Sequence, residues 1–286
     1  MKKCLAFVLG GGGARGSMQL GALRALLEAG YKPDLLVGTS VGAVNATGLA
    51  VWGANQTGLT ALEKSWHDVA RSNLLDPHMA RVTVLVLSGR RSHLANSRAR
   101  DFFLTQGFSP DLRFDQIKGV RLGLVSSDLD SGEPLVFGLD PRQSVMEGLL
   151  ASIALPPWFS PILKDGRMIV DGGALSNLPI EPALMMGATE IIALDLDDPE
   201  KMIGKGHAAN QLLGKLLYSI THRQVHLEMA LAEAHGVKVN YINLRSSPPV
   251  PLWDFSSYQK LIRIGYETTN QAIAQWKSTR KRWPFA

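Results

Sequence analysis

Gly38-Thr39-Ser40-Val41-Gly42 places a serine in a G-x-S-x-G turn, after the apolar Leu35-Leu36-Val37 and before a helical pattern of small residues over Val41 to Val51. In a strand, turn, helix context this spacing marks a nucleophile. Glycines flank the serine because a sharp turn leaves no room for side chains there, and the hydroxyl stands at a helix N-terminus, where the dipole favours developing negative charge. A serine that only caps the helix explains Ser40 but leaves Gly38 and Gly42 without a reason. The nucleophile is the favoured reading.

A second glycine turn, Gly10-Gly11-Gly12-Gly13-Ala14-Arg15-Gly16, lies between a first strand at Cys4 to Leu9 and a helix over Gly16 to Ala29. Backbone free of side chains can aim several N–H groups at one negative centre, so an anion is expected there. Gly11, Gly13 and Gly16 also satisfy the dinucleotide pattern G-x-G-x-x-G. The acidic partner of that pattern should end the second strand, whereas Asp34 precedes it, and no lysine follows Gly16 as a P-loop requires.

A base for Ser40 is not found among the seven histidines. None follows a strand near the C-terminus, as the histidine of an ordinary α/β-hydrolase does. His222 and His226 are four apart on a helix and could share a metal, but no glutamate follows His222, so a solvated helix face is preferred. Asp171, in Val170-Asp171-Gly172-Gly173, is the better candidate: a strand ends in a carboxylate followed by two small residues. An Asp-Gly turn is the plain alternative. Upstream, Ala151 to Pro161 is too rigid and apolar for a generic connector. Asp128-Leu129-Asp130-Ser131-Gly132-Glu133 has part of a calcium-loop spacing but lacks its third acidic position and distant glutamate, and reads as a hairpin turn between Arg121 to Ser126 and Pro134 to Phe137.

The elements that must position these residues alternate. Short runs rich in Val, Ile and Leu, with further strands at Met168 to Val170, Glu190 to Leu194 and Lys238 to Leu244, are interleaved with helical patterns, and long helices are expected over Ala208 to Ala234 and Ser256 to Lys277. This predicts an α/β fold, a doubly wound, mostly parallel sheet with helices on both faces. One domain over 1–286 is expected, since no repeat or linker divides the chain.

A length of 286 residues, 45% hydrophobic and 19% charged, excludes disordered, collagen-like and disulfide-scaffold classes. The single cysteine, Cys4, allows no internal disulfide and fits a reducing compartment. No apolar run reaches the roughly 20 residues of a membrane-spanning helix, and Leu5 to Leu9 meets the glycines too early for a signal peptide. A cytoplasmic protein is expected. The net charge of +5 is mild, with a basic, aromatic C-terminus (Trp276, Lys277, Arg280, Lys281, Arg282, Trp283, Phe285) that reads as a solvated helix end or a peripheral contact with anionic lipid on the inner membrane face. Val82 to Leu87 followed by Gly89-Arg90-Arg91 is either a greasy, cationic entrance or a buried strand and turn. No nucleic-acid partner is expected.

Gly11-Gly12-Gly13-Ala14-Arg15-Gly16, Gly38-Thr39-Ser40-Val41-Gly42, Ser152-Ile153-Ala154-x-Pro156-x-x-Phe159-x-Pro161 and Asp171-Gly172-Gly173 resemble, in order, the motif blocks of the patatin-like phospholipases, most closely their small bacterial members. The hairpin ending in Gly132-Glu133 adds to the resemblance, which covers about 3–195; the strand and long helices of 200–286 match no motif. The resemblance implies a serine–aspartate dyad acyl hydrolase acting on a lipid or other acyl ester. Ser40 is then the nucleophile, Asp171 the general base, and the backbone N–H groups of Gly11, Gly12 and Gly13 the oxyanion hole. Gly38, Gly42 and Gly172 support the turns, and Arg15 either adds charge to the anion site or ties the loop down. Such a dyad has no imidazole, so Asp171 must be partly desolvated and the oxyanion donors must carry much of the catalysis. It needs no cofactor and no metal. Hydrolysis and acyl transfer are not separated, and a non-catalytic scaffold acting through a partner or membrane is the alternative.

Overall fold

The computed structural model describes residues 3–72, 93–156, 158–196 and 208–282. The expected entrance at Val82 to Arg91 and the terminal Trp283 and Phe285 lie outside the described residues. Eight strands form one mixed, mostly parallel sheet: β1 (Leu5–Leu9), β2 (Leu35–Thr39), β3 (Arg121–Asp128), β4 (Glu133–Phe137), β5 (Ile162–Lys164), β6 (Arg167–Asp171), β7 (Glu190–Asp195) and β8 (Lys238–Asn243). Their order is β5-β6-β3-β2-β1-β7-β8, with β4 also paired to β3. The β3-β2-β1-β7-β8 block is parallel, and β4, β5 and β6 are antiparallel to their neighbours.

The central strands are apolar on both faces because both are covered. In β1, Phe7 and Leu9 point into one core while Ala6 and Val8 point into another, and Ile192 and Leu194 alternate with Ile191 and Ala193 in β7. The larger core takes the apolar faces of α1 (Ser17–Glu28), α2 (Val41–Trp52) and α3 (Gln56–Arg71), together with Phe103 of α4 (His93–Thr105) and Leu149 of α5 (Val145–Ser152). The smaller core is closed by α6 (Ile180–Met185) and α7 (Ala208–Ala234) through Ile180, Ala183, Val225 and Ala232. The last helix, α8 (Tyr258–Arg282), returns to the larger core. There it lies so close on α1 that a Cβ at Gly21 would strike the Ile262 carbonyl. No described helix is long and apolar enough to cross a membrane.

The ladder on β3 positions the site. Thr39, the last residue of β2, pairs in parallel with Val125, and Asp171, the last residue of β6, pairs antiparallel with the next residue, Ser126. Since β4 occupies the other edge of β3 over Leu124 to Asp128, β2 and β6 share one edge and meet there head to head.

Candidate active site

Ser40 is the single residue between β2 and α2, with φ 56 and ψ −125, a backbone conformation that costs a non-glycine residue free energy and marks a strained elbow. Its tightness explains both glycines: a Cβ on Gly38 would run into the Gly42 carbonyl, and one on Gly42 into the Leu9 carbonyl. The Ser40 side chain makes no capping hydrogen bond to the helix it precedes. The hydroxyl therefore stays free for chemistry, which a purely capping serine would not allow. Its backbone is held from below, the Ser40 N–H donating to Ser152 Oγ at 2.9 Å and the Ser152 hydroxyl donating to the Val125 carbonyl at 2.6 Å.

Asp171 is buried at the end of β6. Its own N–H donates to the Ala154 carbonyl at 3.0 Å, fixing it to the segment after α5. Oδ1 accepts from the Gly173 N–H at 2.8 Å, while Oδ2, equally buried, has no hydrogen-bond partner. Burial pushes the carboxyl up to about 6, and the nearby Ser40 hydroxyl and the Gly173 N–H hold it from rising further. The Ser40 hydroxyl is thus close enough to act on the charge of Asp171 without completing a hydrogen bond of standard geometry to Oδ2. Such loose contacts are common before substrate binds. A Cβ on Gly172 would strike the Val125 carbonyl, so this turn needs glycine as the serine turn does. Among the described residues no histidine hydrogen-bonds to Ser40 or Asp171; His222 and His226 face each other across 3.1 Å on the exposed side of α7.

In the glycine loop, Gly11 spends its N–H on the Asn177 carbonyl at 3.0 Å, and Ala14 spends its own on the Leu252 carbonyl at 2.6 Å. No described residue accepts from Gly12 or Gly13. These two amides are the open donors of the loop. Arg15 is buried and turned inward, donating to the Gly12 carbonyl at 3.3 Å and to the Leu196 carbonyl at 2.7 Å, so it ties the loop to the end of β7. Behind the loop, Gln19 donates to the Gly10 carbonyl at 2.8 Å and accepts from Asn45 at 2.9 Å, and Asn45 accepts from Trp66 at 3.0 Å. This buried, mutually satisfied network stiffens both turns. Asp34, the acidic residue that follows the G-x-G-x-x-G pattern, accepts from the Leu5 N–H at the opposite end of the strands.

Two supports were not foreseen from the sequence. Thr39 donates to the Ser176 carbonyl at 2.8 Å, and the Ser176 hydroxyl donates to Glu228 Oε1 at 2.7 Å. Glu228, on α7, also accepts from the N–H groups of Ile180 at 2.6 Å and Glu181 at 2.9 Å, capping α6. Its burial pushes it up to about 7. A lone glutamate inside a helical pattern carries no local signal of such a role. The second support is a pair of stacked indoles, Trp158 and Trp253, with ring centroids 6.0 Å apart. Trp158 follows the segment bonded to Asp171, and Trp253 follows Leu252, which is bonded to the glycine loop.

A family model described as patatin-like phospholipase matches residues 7–184. The chain is 28% identical over 254 residues to an uncharacterized NTE family protein of Mycobacterium tuberculosis, covering 87% of this chain and 41% of that protein. It is 27% identical over 298 residues to the mouse patatin-like phospholipase domain-containing protein 7, covering 95% of this chain and 21% of that one. The chain thus spans less than half the length of these relatives. Among solved structures, VipD from Legionella pneumophila superposes with a TM-score of 0.47 at 16% identity, over 96% of this chain and 67% of that one.

Proposed function

Since the chain belongs to the patatin-like phospholipase family, we propose that it is a serine–aspartate dyad acyl hydrolase that cleaves carboxylic esters of lipids, of the phospholipase, lysophospholipase or esterase type. The observation that carries this reading is the buried, unpartnered Oδ2 of Asp171 beside the free hydroxyl of Ser40. A buried carboxylate oxygen without a partner is costly, and the Ser40 hydroxyl is the donor available to it.

In the reaction, ionised Asp171 takes the hydroxyl proton as Ser40 Oγ bonds to the ester carbonyl carbon. The carbonyl oxygen becomes an oxyanion held by the Gly12 and Gly13 amides. Collapse of this intermediate expels the alcohol, which leaves with the proton from Asp171, and an acyl-enzyme stays on Ser40. Water then attacks the acyl group, giving its proton to Asp171; the acid leaves and the proton returns to Ser40. An open donor pair at the oxyanion supplies stabilisation that each group realises only in the transition state. Gly11, whose N–H is occupied, acts through the shape of the loop. Purified protein given nitrophenyl esters of increasing chain length tests the reading. Turnover that vanishes in Ser40→Ala and Asp171→Asn supports it, and equal turnover in wild type and Ser40→Ala contradicts it.

A further inference from the structure

Helix α7 has two apolar faces. One, with Val225 and Ala232, packs on the sheet. The other holds Leu212, Leu216, Ile220 and Leu227, which are 70%, 55%, 47% and 52% exposed. At about 100° per residue these four fall within an arc of about 80°, turned away from the packed face. Scattered exposed leucines need no explanation, but a single stripe on a helix already docked by its other side does.

The charges around the stripe select its occupant. Arg223 falls inside the arc and is exposed, and Lys215 stands exposed beside it. Neither forms an ion pair with a described residue. From Ala208 to Leu227 the helix carries no aspartate or glutamate, and its first carboxylate, Glu228, is buried and committed to Ser176 and α6. Two copies meeting through this face would bring cations against cations. An apolar stripe with cations and no anions matches an anionic bilayer surface, where leucines enter the acyl boundary and the basic groups reach phosphates.

We propose that α7 is a bilayer-docking helix that seats the protein on anionic lipid through Leu212, Leu216, Ile220 and Leu227, with Arg223 and Lys215 on headgroup phosphates. The helix is tied at Gln224, whose amide donates to the Ala174 carbonyl at 2.8 Å, and at Glu228 to the segment that follows Asp171. The helix that docks is thus bonded directly to the segment that follows Asp171. The inference rests on the proposed lipid-ester function in taking lipid as the surface on which the protein works.

The test is sedimentation with vesicles of phosphatidylcholine alone or with phosphatidylglycerol added, using Ser40→Ala protein so that lipid is not consumed. Binding to the anionic vesicles is expected, weaker on neutral ones and in high salt. Leu216→Asp with Ile220→Asp should weaken it roughly tenfold or more, and Arg223→Glu about fivefold or more. These surface variants should keep the parent's thermal midpoint, and the same changes made with Ser40 intact should keep turnover of a short, water-soluble ester. Binding that is absent, or unchanged in both variants, overturns the proposal. So does a concentration-dependent dimer that the same substitutions dissolve, which assigns the face to a second copy. Vesicle binding without ester turnover would instead count against the hydrolase reading alone.

Discussion

Ser40 and Asp171 are brought together by one strand: Thr39 pairs with Val125 of β3 and Asp171 with Ser126, so two strands of opposite direction end against each other on one sheet edge. No loop has to reach across the molecule to assemble the pair. Asp171 ends a paired strand and Ser40 directly follows one, each in a turn whose neighbouring glycines leave no room for a side chain, and positions of that kind hold a constellation more tightly than mobile loops do.

The strain at Ser40 predicts an unusual order of stabilities. At φ 56 a side chain costs about 1–3 kcal/mol, from which up to about 1 kcal/mol is offset by the extra unfolded freedom of glycine. Ser40→Gly should therefore be more stable than Ser40→Ala by about 1 kcal/mol, although both lose turnover. Denaturant unfolding of the two variants gives the comparison.

Asp171 should give activity and stability opposite dependences on pH. Its carboxyl is raised in the fold to about 6 from 3.8, so the folded state prefers the protonated acid. Below about pH 4 wild type carries no penalty; between the two values the penalty grows, and above about pH 6 it is constant, near 3 kcal/mol. As the proposed base, Asp171 is competent only when ionised, so kcat/KM should rise through about pH 6. Asp171→Asn should be inactive, more stable than wild type at pH 8, and no more stable at pH 4. Thermal melts at the two pH values decide it.

Gly13 has φ +56, and a Cβ there would strike the Leu252 carbonyl. Gly13→Ala should displace one of the two proposed oxyanion donors and lower kcat by roughly 100-fold or more, with KM changed little. Steady-state kinetics on a short ester provide the split.

Glu228 satisfies two backbone N–H groups and the Ser176 hydroxyl from a buried position. Glu228→Ala strands all three and should destabilise by about 3 kcal/mol or more, with loss of turnover because Ser176 anchors Thr39. Glu228→Gln keeps an acceptor for the α6 amides and should retain most of both. Chemical denaturation with parallel turnover assays tests the contrast.

The parts of the site legible in the sequence are those that consecutive residues encode. A serine between two glycines after an apolar run, and a carboxylate before Gly172 and Gly173, announce turns whose chemistry is local, and the alternating short apolar runs announce a covered, mostly parallel sheet. The long helix over Ala208 to Ala234 also lies where its pattern places it, whereas α3, α4, α5 and the short α6 are not among the helices expected from the sequence. Long-range pairing was invisible: nothing near Gly11 says that its N–H belongs to Asn177, and nothing near Glu228 says that it caps α6. Arg15 was open between two roles, and only its reach to Leu196, far along the chain, distinguishes them.

Activation of Ser40 as a nucleophile is measured most directly with a fluorophosphonate probe whose adduct is mapped by peptide mass. One adduct is expected on Ser40 in wild type, absent in Ser40→Ala and strongly slowed in Asp171→Asn, with labelling rising through about pH 6 as Asp171 ionises. Folded wild type that takes no label, or labelling that is as fast in Asp171→Asn as in wild type, would contradict it.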